Sequence, residues 1–585
     1  MAEITITLPD GGNETFEKGV TGIDVAKRIS DKLARDAVAM YVDDRLTDLT
    51  EPITTDSKVK ILTFHDKEGK EVFRHSAAHL LAHAVKNIFP NAKLTIGPAV
   101  EDGFYYDFDV DEPFTPEDLR KIEEEMKRLT KEDIDITRLD EVSKDKAKEK
   151  QSHEPYKLEL IDELGDDTCR FYRQGDFEDL CSGPHLPSTG KIKAFKLLRV
   201  AGAYWRGKAE NKQLQRIYGV AFPDKKELKE YLHMLEEAEK RDHRKIAKAM
   251  KLFSLHEEAP GFPFWHHKGL TLFNNLLSYW KELHSEAGYS EIKTPIIMSR
   301  KLWERSGHWN NYGDEMYYTR IDEQDFAIKP MNCPGGMLMY NEDVHSYREL
   351  PMRVGEIGYV HRHELSGTLS GLFRARAFHQ DDAHIYMTEE QIEQEIRGVI
   401  ALVDQIYAAF GLTYHIELST RPEKSIGTDE QWQRATEGLR NALESMGREY
   451  MINEGDGAFY GPKIDFHIKD ALGRTWQCGT IQLDMAQPEN FDLTYEGKDG
   501  QKHRPVMIHR TIYGSLERFI GIIIEHFAGK FPLWLSPMQA RIITVADRFA
   551  DYAQEVRSSM RKAGITADID RKDKREQGCR IHENR

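Results

Sequence analysis

The sequence predicts a multidomain α+β protein, and three observations carry that expectation. At about 150 residues per domain, 585 residues allow roughly four, with ample chain for a large buried core. The first 63 residues mix a hairpin, a helix and further strands, and the largest block, further on, holds β-rich patches among helical stretches. Hydrophobic residues at 39% and charged residues at 31% describe a globular chain with too much apolar content for disorder.

Residues 1–63 alternate as Ile4-Thr5-Ile6-Thr7-Leu8, turn at Pro9-Asp10-Gly11-Gly12, offer a helix near Asp24 to Leu33 and return to strands ending at Val59-Lys60-Ile61-Leu62. That pattern predicts a small α+β unit. Residues 64–224 mix a His-rich helix from Val72 to Phe89, an acidic helix with Glu123-Glu124-Glu125 and irregular Gly/Pro segments, as a second α+β domain would. Residues 225–251 keep helical spacing amid dense charge, which predicts one long linking helix, its basic residues either solvated or touching RNA. Residues 252–535 form the largest block, with β-rich patches around Phe373 to Tyr386 and Lys463 to Leu483. Residues 536–585 open on Arg541-Ile542-Ile543-Thr544-Val545, a buried-strand pattern followed by an amphipathic helix, and stop at the polar Arg580 to Arg585, as half of an α/β domain would.

Several function classes fall away. The length excludes a peptide-sized binding module. The longest apolar stretch, Phe519 to Ile524, cannot span a bilayer. Met1-Ala2-Glu3-Ile4-Thr5 has neither a basic start nor an apolar run, so a cytoplasmic location without a membrane partner is expected. A net charge of -17 argues against generic coating of nucleic acid, while local basic surface could still bind RNA. Five scattered cysteines, Cys169, Cys181, Cys333, Cys478 and Cys579, fit metal or thiol roles better than a disulfide framework.

The strongest local signal is Arg362-His363-Glu364, a Gly-containing turn, and then Arg374-Ala375-Arg376-Ala377-Phe378-His379-Gln380-Asp381-Asp382. Two strands joined by a loop would gather arginines, an acid and an aromatic on one face. An adenine nucleotide needs those types: guanidinium for phosphate, carboxylate for the amino group, a ring for stacking. Arg-x-Glu alone is more often a surface ion pair. Downstream, Gly514-Ser515-Leu516-Glu517-Arg518 runs into the apolar helix Phe519 to Ile524, a costly place for a charge unless it meets an anion.

Together these segments resemble motifs 2 and 3 of class II aminoacyl-tRNA synthetases, and Gly288-Tyr289 to Thr294-Pro295 resembles motif 1. Met331-Asn332-Cys333-Pro334, Gln380 to His384 and Ile508-His509-Arg510 narrow the resemblance to the threonyl-tRNA synthetase family, bacterial type, over nearly the whole chain. It implies a class II antiparallel-sheet catalytic domain, an N-terminal ubiquitin-like (TGS) domain, an editing domain and a partial anticodon-binding domain. It also implies a homodimer that takes threonine, ATP and tRNA(Thr).

By that resemblance Cys333, His384 and His509 would hold one Zn²⁺ per subunit with open positions. The family's metal binds threonine through its amino nitrogen and hydroxyl together, a discrimination against valine that an apolar pocket cannot supply. Asp382 would accept the hydroxyl proton, with Met331, Gln380, Tyr460 and Gln482 as substrate neighbours. Arg362, Arg518 and Lys463 would be catalytic. ATP would meet Arg362, Glu364, Arg374, Phe378, Gln477 and Arg518, its adenine lying between Phe378 and Arg518, and Mg²⁺ would help carry the triphosphate.

Serine carries the hydroxyl and lacks only a methyl group, so exclusion from a cavity yields roughly 1–3 kcal/mol. A second, hydrolytic site is the remedy. His75 and His79 stand four apart on one helical face, and Cys181 and His185 lie on a Gly/Pro loop. By spacing alone this quartet could be a zinc cluster or scattered structural residues. By resemblance it is the family's editing site, which works without a metal, supported by Asp179 and Lys157. No general base is assigned, because the substrate's own hydroxyl could hold the water.

Two departures from the family pattern stand out: the short C-terminal domain, which puts charging of full tRNA in question, and Gly336, where family members commonly carry histidine. The rival readings are a synthetase-like regulatory or RNA-binding protein and a plain zinc hydrolase. The first leaves intact phosphate and metal groups without purpose, and the second leaves the arginines without work.

Overall fold

The computed structural model describes residues 2–100, 103–208 and 210–570. Cys579 and the Arg580 to Arg585 segment lie outside the described residues. The chain divides into two compact units, 1–235 and 236–585.

The first unit opens with a five-stranded sheet in the order Asn13–Glu17, Glu3–Thr7, Ser57–Thr63, Ala37–Val42, Arg45–Thr47. Alternation sends Ile4 and Ile6 inward onto Val25, Ala26 and Val59. The helix expected near Asp24 to Leu33 is two helices, Gly22–Ile29 and Asp31–Asp36, because Ser30 leaves the helical region and its hydroxyl caps the second by accepting from Leu33 N–H.

Beyond it, the helix Lys67–Ile88 buries nearly a continuous run from Val72 to Val85 against the strands Gly103–Asp109 and Gln213–Phe222 and the helix Pro116–Glu132. A small sheet of Phe177–Leu180, Phe171–Gln174 and Ile136–Arg138 carries the loop from Cys181 onward.

The expected single linking helix is instead two, Lys225–Arg241 and His243–Met250. Asp242 breaks the run: its carboxylate accepts from Arg244 N–H at 2.8 Å and caps the second helix.

The second unit is built on an eight-stranded sheet in the order Ser290–Glu291, Met352–His361, Ala377–Met387, Val506–Thr511, Thr475–Asp484, Lys463–Lys469, Thr413–Ser419, Met451–Asn453, antiparallel except at its two outermost pairs. Ile385, Ile508, Leu483 and Phe466 point to one face, where they pack against helices His267–Glu286, Ile392–Ala409 and Leu516–His526. Each such buried side chain contributes about 1.5–3 kcal/mol. The other face carries the polar positions of the same strands.

The 540–543 and 567–570 strands pair in parallel around the helix Ala550–Lys562. The expected burial of the first strand does not hold, since Ile543 is 50% and Val545 73% exposed. Among the described residues the strand pairs with one neighbour, so half of its apolar positions face out.

Candidate active site

Period two explains how the central strand builds the cleft. Phe378, Gln380, Asp382 and His384 fall on one face of Ala377–Met387, and Asp381 falls on the other. Asp381 is fully buried and anchors the neighbouring turn, accepting from the backbone N–H of Ile512, Tyr513 and Gly514 at 2.9–3.1 Å and from Trp280 Nε1. Burial pushes its pKa up to about 7, while Arg510 and those three N–H groups pull it back. The next turn leads into Leu516–His526, where Ser515 caps and Glu517 reaches back to His379 N–H at 2.7 Å.

Register does the rest. His384 pairs directly with His509, and His509 with Gln482 on the following strand. Cys333 opens the helix Cys333–Tyr340. The donor atoms of Cys333, His384 and His509 lie within 4.8 Å of one another, all three residues buried. His384 Nε2 is buried without a hydrogen-bond partner. His509 Nε2 meets Asp484 Oδ2 at 2.8 Å, which orients the ring and leaves the Nδ1 lone pair available, as metal-ligating imidazoles require. Burial holds His384 well below its ordinary pKa and Cys333 well above. A partnerless buried imidazole beside a thiol and an oriented second imidazole is a donor set that fits a zinc ion. Asp382, whose carboxylate accepts from Asn332 Nδ2 at 3.2 Å, is beside it.

The cleft over this face holds about 350 Å³ and is lined by Met331, Cys333, Arg362, Glu364, Arg374, Phe378, Gln380, Asp382, Tyr460, Gln477, Gln482, His509 and Arg518 among others. Of the residues expected here, His384 and Lys463 are not among its lining residues. Lys463 Nζ lies 2.9 Å from both Asp456 and Asp465. Asp465 in turn accepts from Gln477 Nε2 and Thr480 Oγ1. Tyr460 O–H donates to Gln482 Oε1.

Arg362, Glu364 and Arg374 do not lie on strands as expected. They occupy the connection between Met352–His361 and Ala377–Met387, because a three-residue turn at Ser366–Thr368 and the left-handed Gly371, φ 55°, break the pleat. Arg374 Nε donates to Glu364 at 2.6 Å. The Arg362 guanidinium lies 5.2 Å over the Phe378 ring. Arg518 donates to the carbonyls of Phe373 and Gln477. The sequence reading missed Asn332, Asp484, Thr480 and His308. His308 is buried with Nε2 3.1 Å from Met331 Sδ, and burial, His509 and Arg362 hold its pKa down to about 3.

The first unit has its own cluster. His75, His79, Cys181 and His185 offer donor atoms within 4.8 Å, and the first three line a cavity of about 680 Å³. His75 Nδ1 donates to Gly97 O at 3.1 Å, so its Nε2 lone pair faces Cys181 Sγ at 3.0 Å. Ser76 O–H donates to Val72 O, so Ser76 Oγ accepts from His185 Nδ1, and the Nε2 lone pair of His185 also faces Cys181, at 3.3 Å. Burial pushes the thiol up to about 12. One S–H therefore faces two lone pairs, and the cluster has spare accepting capacity for a donor or a metal ion. Lys157 Nζ sits 2.7 Å from Asp179, which accepts from Tyr106 O–H, both charges almost fully buried. The loop itself hangs on an acid the sequence reading missed. Asp48 accepts from His185 N–H and Tyr172 O–H, each at 2.7 Å.

Three family models match: a TGS domain over residues 4–63, the threonyl and alanyl tRNA synthetase second additional domain over 169–218, and the tRNA synthetase class II core domain (G, H, P, S and T) over 317–527. The threonine–tRNA ligase of Desulfatibacillum aliphaticivorans is 61% identical over 97% of this chain and 89% of its own. That of Clostridioides difficile is 59% identical over the same shares. This chain belongs to the threonine–tRNA ligase family. The crystal structure of the RNA binding domain of threonyl-tRNA synthetase from Cryptosporidium parvum Iowa II, 41% identical, superposes with a TM-score of 0.57 over 58% of this chain and 86% of that one. The chain thus carries the TGS, second additional and class II core domains of this ligase family. Among the described residues no helix is long and apolar enough to cross a membrane.

Proposed function

We propose that the cleft of the second unit activates threonine with ATP and passes it to tRNA(Thr), and that the His/Cys cavity of the first unit hydrolyses serine wrongly attached to that tRNA. The observation that carries the first half is the buried, partnerless His384 Nε2 beside Cys333 and His509, with Asp382 two residues away on the same face. Cys333, His384 and His509 would hold a Zn²⁺, which would supply Lewis acidity toward an amino nitrogen and a hydroxyl oxygen together, a pair that valine cannot offer.

The chain's own side chains do the remaining work. Asp382 takes the hydroxyl proton, and Gln380, Tyr460 and Gln482 fix the amino acid. Arg362 spans the carboxylate and α-phosphate, which lowers the charge cost of bringing two anions together. Phe378 and Arg518 hold the adenine, Glu364 accepts from its amino group, and Arg374 and Gln477 bound the nucleotide. Lys463, held in place by Asp456 and Asp465, adds positive charge behind the cleft, and Mg²⁺ accompanies the triphosphate.

In the first unit the paired lone pairs over Cys181 support reception of the terminal adenosine and the seryl group. Domain limits of 1–63, 64–224, 252–535 and 536–585 accompany this reading. A homodimer does too, supported by Leu270, Ile296 and Ile297, each 42–47% exposed around the motif 1 segment.

The deciding experiment is Cys333→Ser. Bound zinc, measured by elemental analysis, falls, and threonine-dependent pyrophosphate exchange into ATP is lost with it. Exchange at the wild-type rate in a zinc-free variant refutes the metal reading. Replacing His75 and His79 together leaves exchange intact while seryl-tRNA persists, and fast hydrolysis in that variant removes the editing assignment.

A further inference from the structure

Among the described residues two further clusters of metal-ligating side chains lie outside the sites above, and they differ in chemistry. In Asp242, His243 and Glu525 both imidazole nitrogens are committed: Nδ1 to Glu525 at 2.8 Å and Nε2 to the N–H of Leu372 at 3.1 Å. No lone pair is left for an ion. His415, Glu417 and His467 are different.

His415 and His467 face each other in direct register across the antiparallel strands Thr413–Ser419 and Lys463–Lys469, their rings stacked at 5.0 Å and 17°. Period two puts Glu417 on the same face as His415. One carboxylate then serves both rings, Oε1 lying 3.1 Å from His415 Nε2 and Oε2 3.5 Å from His467 Nε2. Asn453 Nδ2 steadies that carboxylate at 3.1 Å. The donor atoms lie within 4.8 Å of one another and all three residues are half-buried, so the group is both held and reachable.

We propose that His415, Glu417 and His467 bind one divalent transition-metal ion, such as Zn²⁺ or Ni²⁺, at the margin of the cleft. Bonds of about 2.0–2.2 Å at a tetrahedral angle set ligand atoms about 3.3 Å apart, and the two observed separations bracket that value. Two imidazoles and a carboxylate select borderline ions over Mg²⁺ or Ca²⁺. Lys463, which opens the same strand as His467, is already engaged by Asp456 and Asp465.

The location gives the site a consequence. The ladder slips between Phe466 and His467, and His467 pairs with Gln477, which lines the cleft. An ion that ties His467 to His415 fixes the residue opposite Gln477. Occupancy therefore weakens or strengthens nucleotide binding, a consequence that rests on the reading of the cleft as an ATP site, whereas ion binding itself does not.

Equilibrium dialysis of the full chain against Ni²⁺ alone tests the site. Wild type takes up one equivalent more than His467→Asn or Glu417→Gln, whose affinity at this site falls by at least about tenfold, while Cys333→Ser keeps that ion. Equal uptake by wild type and both variants overturns the proposal, as does loss of the extra ion in Cys333→Ser alone. In a second arm, Ni²⁺ shifts the KM for ATP of wild type in pyrophosphate exchange and leaves His467→Asn unmoved. An unmoved KM in both, with the extra ion present, overturns the link to the cleft. Absence of exchange in every sample indicts the ATP reading instead.

Discussion

Asp48 gives the N-terminal domain a measurable role in a site built by its neighbour. Asp48 is 6% exposed, and its carboxylate accepts from the backbone N–H of His185 and from Tyr172 O–H. Asp48→Ala leaves two buried donors unsatisfied, at about 1–3 kcal/mol each. The Tyr172 hydroxyl can turn toward another acceptor, but the peptide N–H of His185 cannot rotate independently of the loop. Its share falls on the segment that holds Cys181 and His185, and each 1.4 kcal/mol spent in displacing that segment is about tenfold in occupancy. Hydrolysis of seryl-tRNA is expected to fall at least about tenfold, with threonine-dependent pyrophosphate exchange unchanged, because the exchange cleft lies wholly in the other unit. Asp48→Asn keeps an acceptor for the His185 N–H and retains most of the hydrolysis. Wild-type hydrolysis by Asp48→Ala, or equal loss of exchange, refutes the argument.

Four other outcomes follow from the same geometry. Gly371→Ala should raise the KM for ATP, since Gly371 has φ 55° and an added Cβ would stand 2.3 Å from His243 Nε2, displacing the loop that carries Arg374; steady-state exchange kinetics check it. Gly336→Ala should be tolerated and should stabilise by about 0.5–1 kcal/mol as a helical Gly→Ala change, because the nearest atoms to its Cβ, Tyr386 Oη and His384 Nδ1, are 3.7 and 3.8 Å away; thermal unfolding measures it. His75, His79 and His185 are held neutral by burial, so the unfolded chain binds protons that the folded one does not. The 67–88 helix should therefore lose amide-exchange protection as pH falls below about 6.5, by up to about 1.4 kcal/mol per pH unit for each histidine, and should be insensitive above pH 7.5. Ile296→Asp with Ile297→Asp should dissociate the proposed homodimer, read by sedimentation velocity.

The elements that sequence alone located are those whose pattern is local. The first hairpin, the His-rich helix and the pair Lys463–Lys469 and Thr475–Asp484 announce themselves by period and by turn residues. The breaks at Ser30 and Asp242 were hidden because each is one capping side chain inside an otherwise helical run, and the cap is decided by whether the carboxylate or hydroxyl finds an N–H. The arginine-bearing loop has the composition of a strand, while Gly371 and the 366–368 turn govern its path.

The sites were legible to a different degree. Nothing in the spacing of Cys333, His384 and His509 binds them together, since they stand 51 and 125 positions apart; the resemblance to a family named them, and strand register brings them within reach. Asp48 and Asp484 had no such signal, since a lone aspartate near a turn reads as a solvated charge. Both are buried, and both aim a histidine: Asp484 through a ring nitrogen and Asp48 through a peptide N–H. A histidine in either cluster is useful only with its tautomer and direction fixed, because the wrong nitrogen carries a proton where a lone pair is needed. The residues that chemistry requires can thus be named from sequence, while those that hold the chemistry in its productive proton state become visible only when the chain is folded.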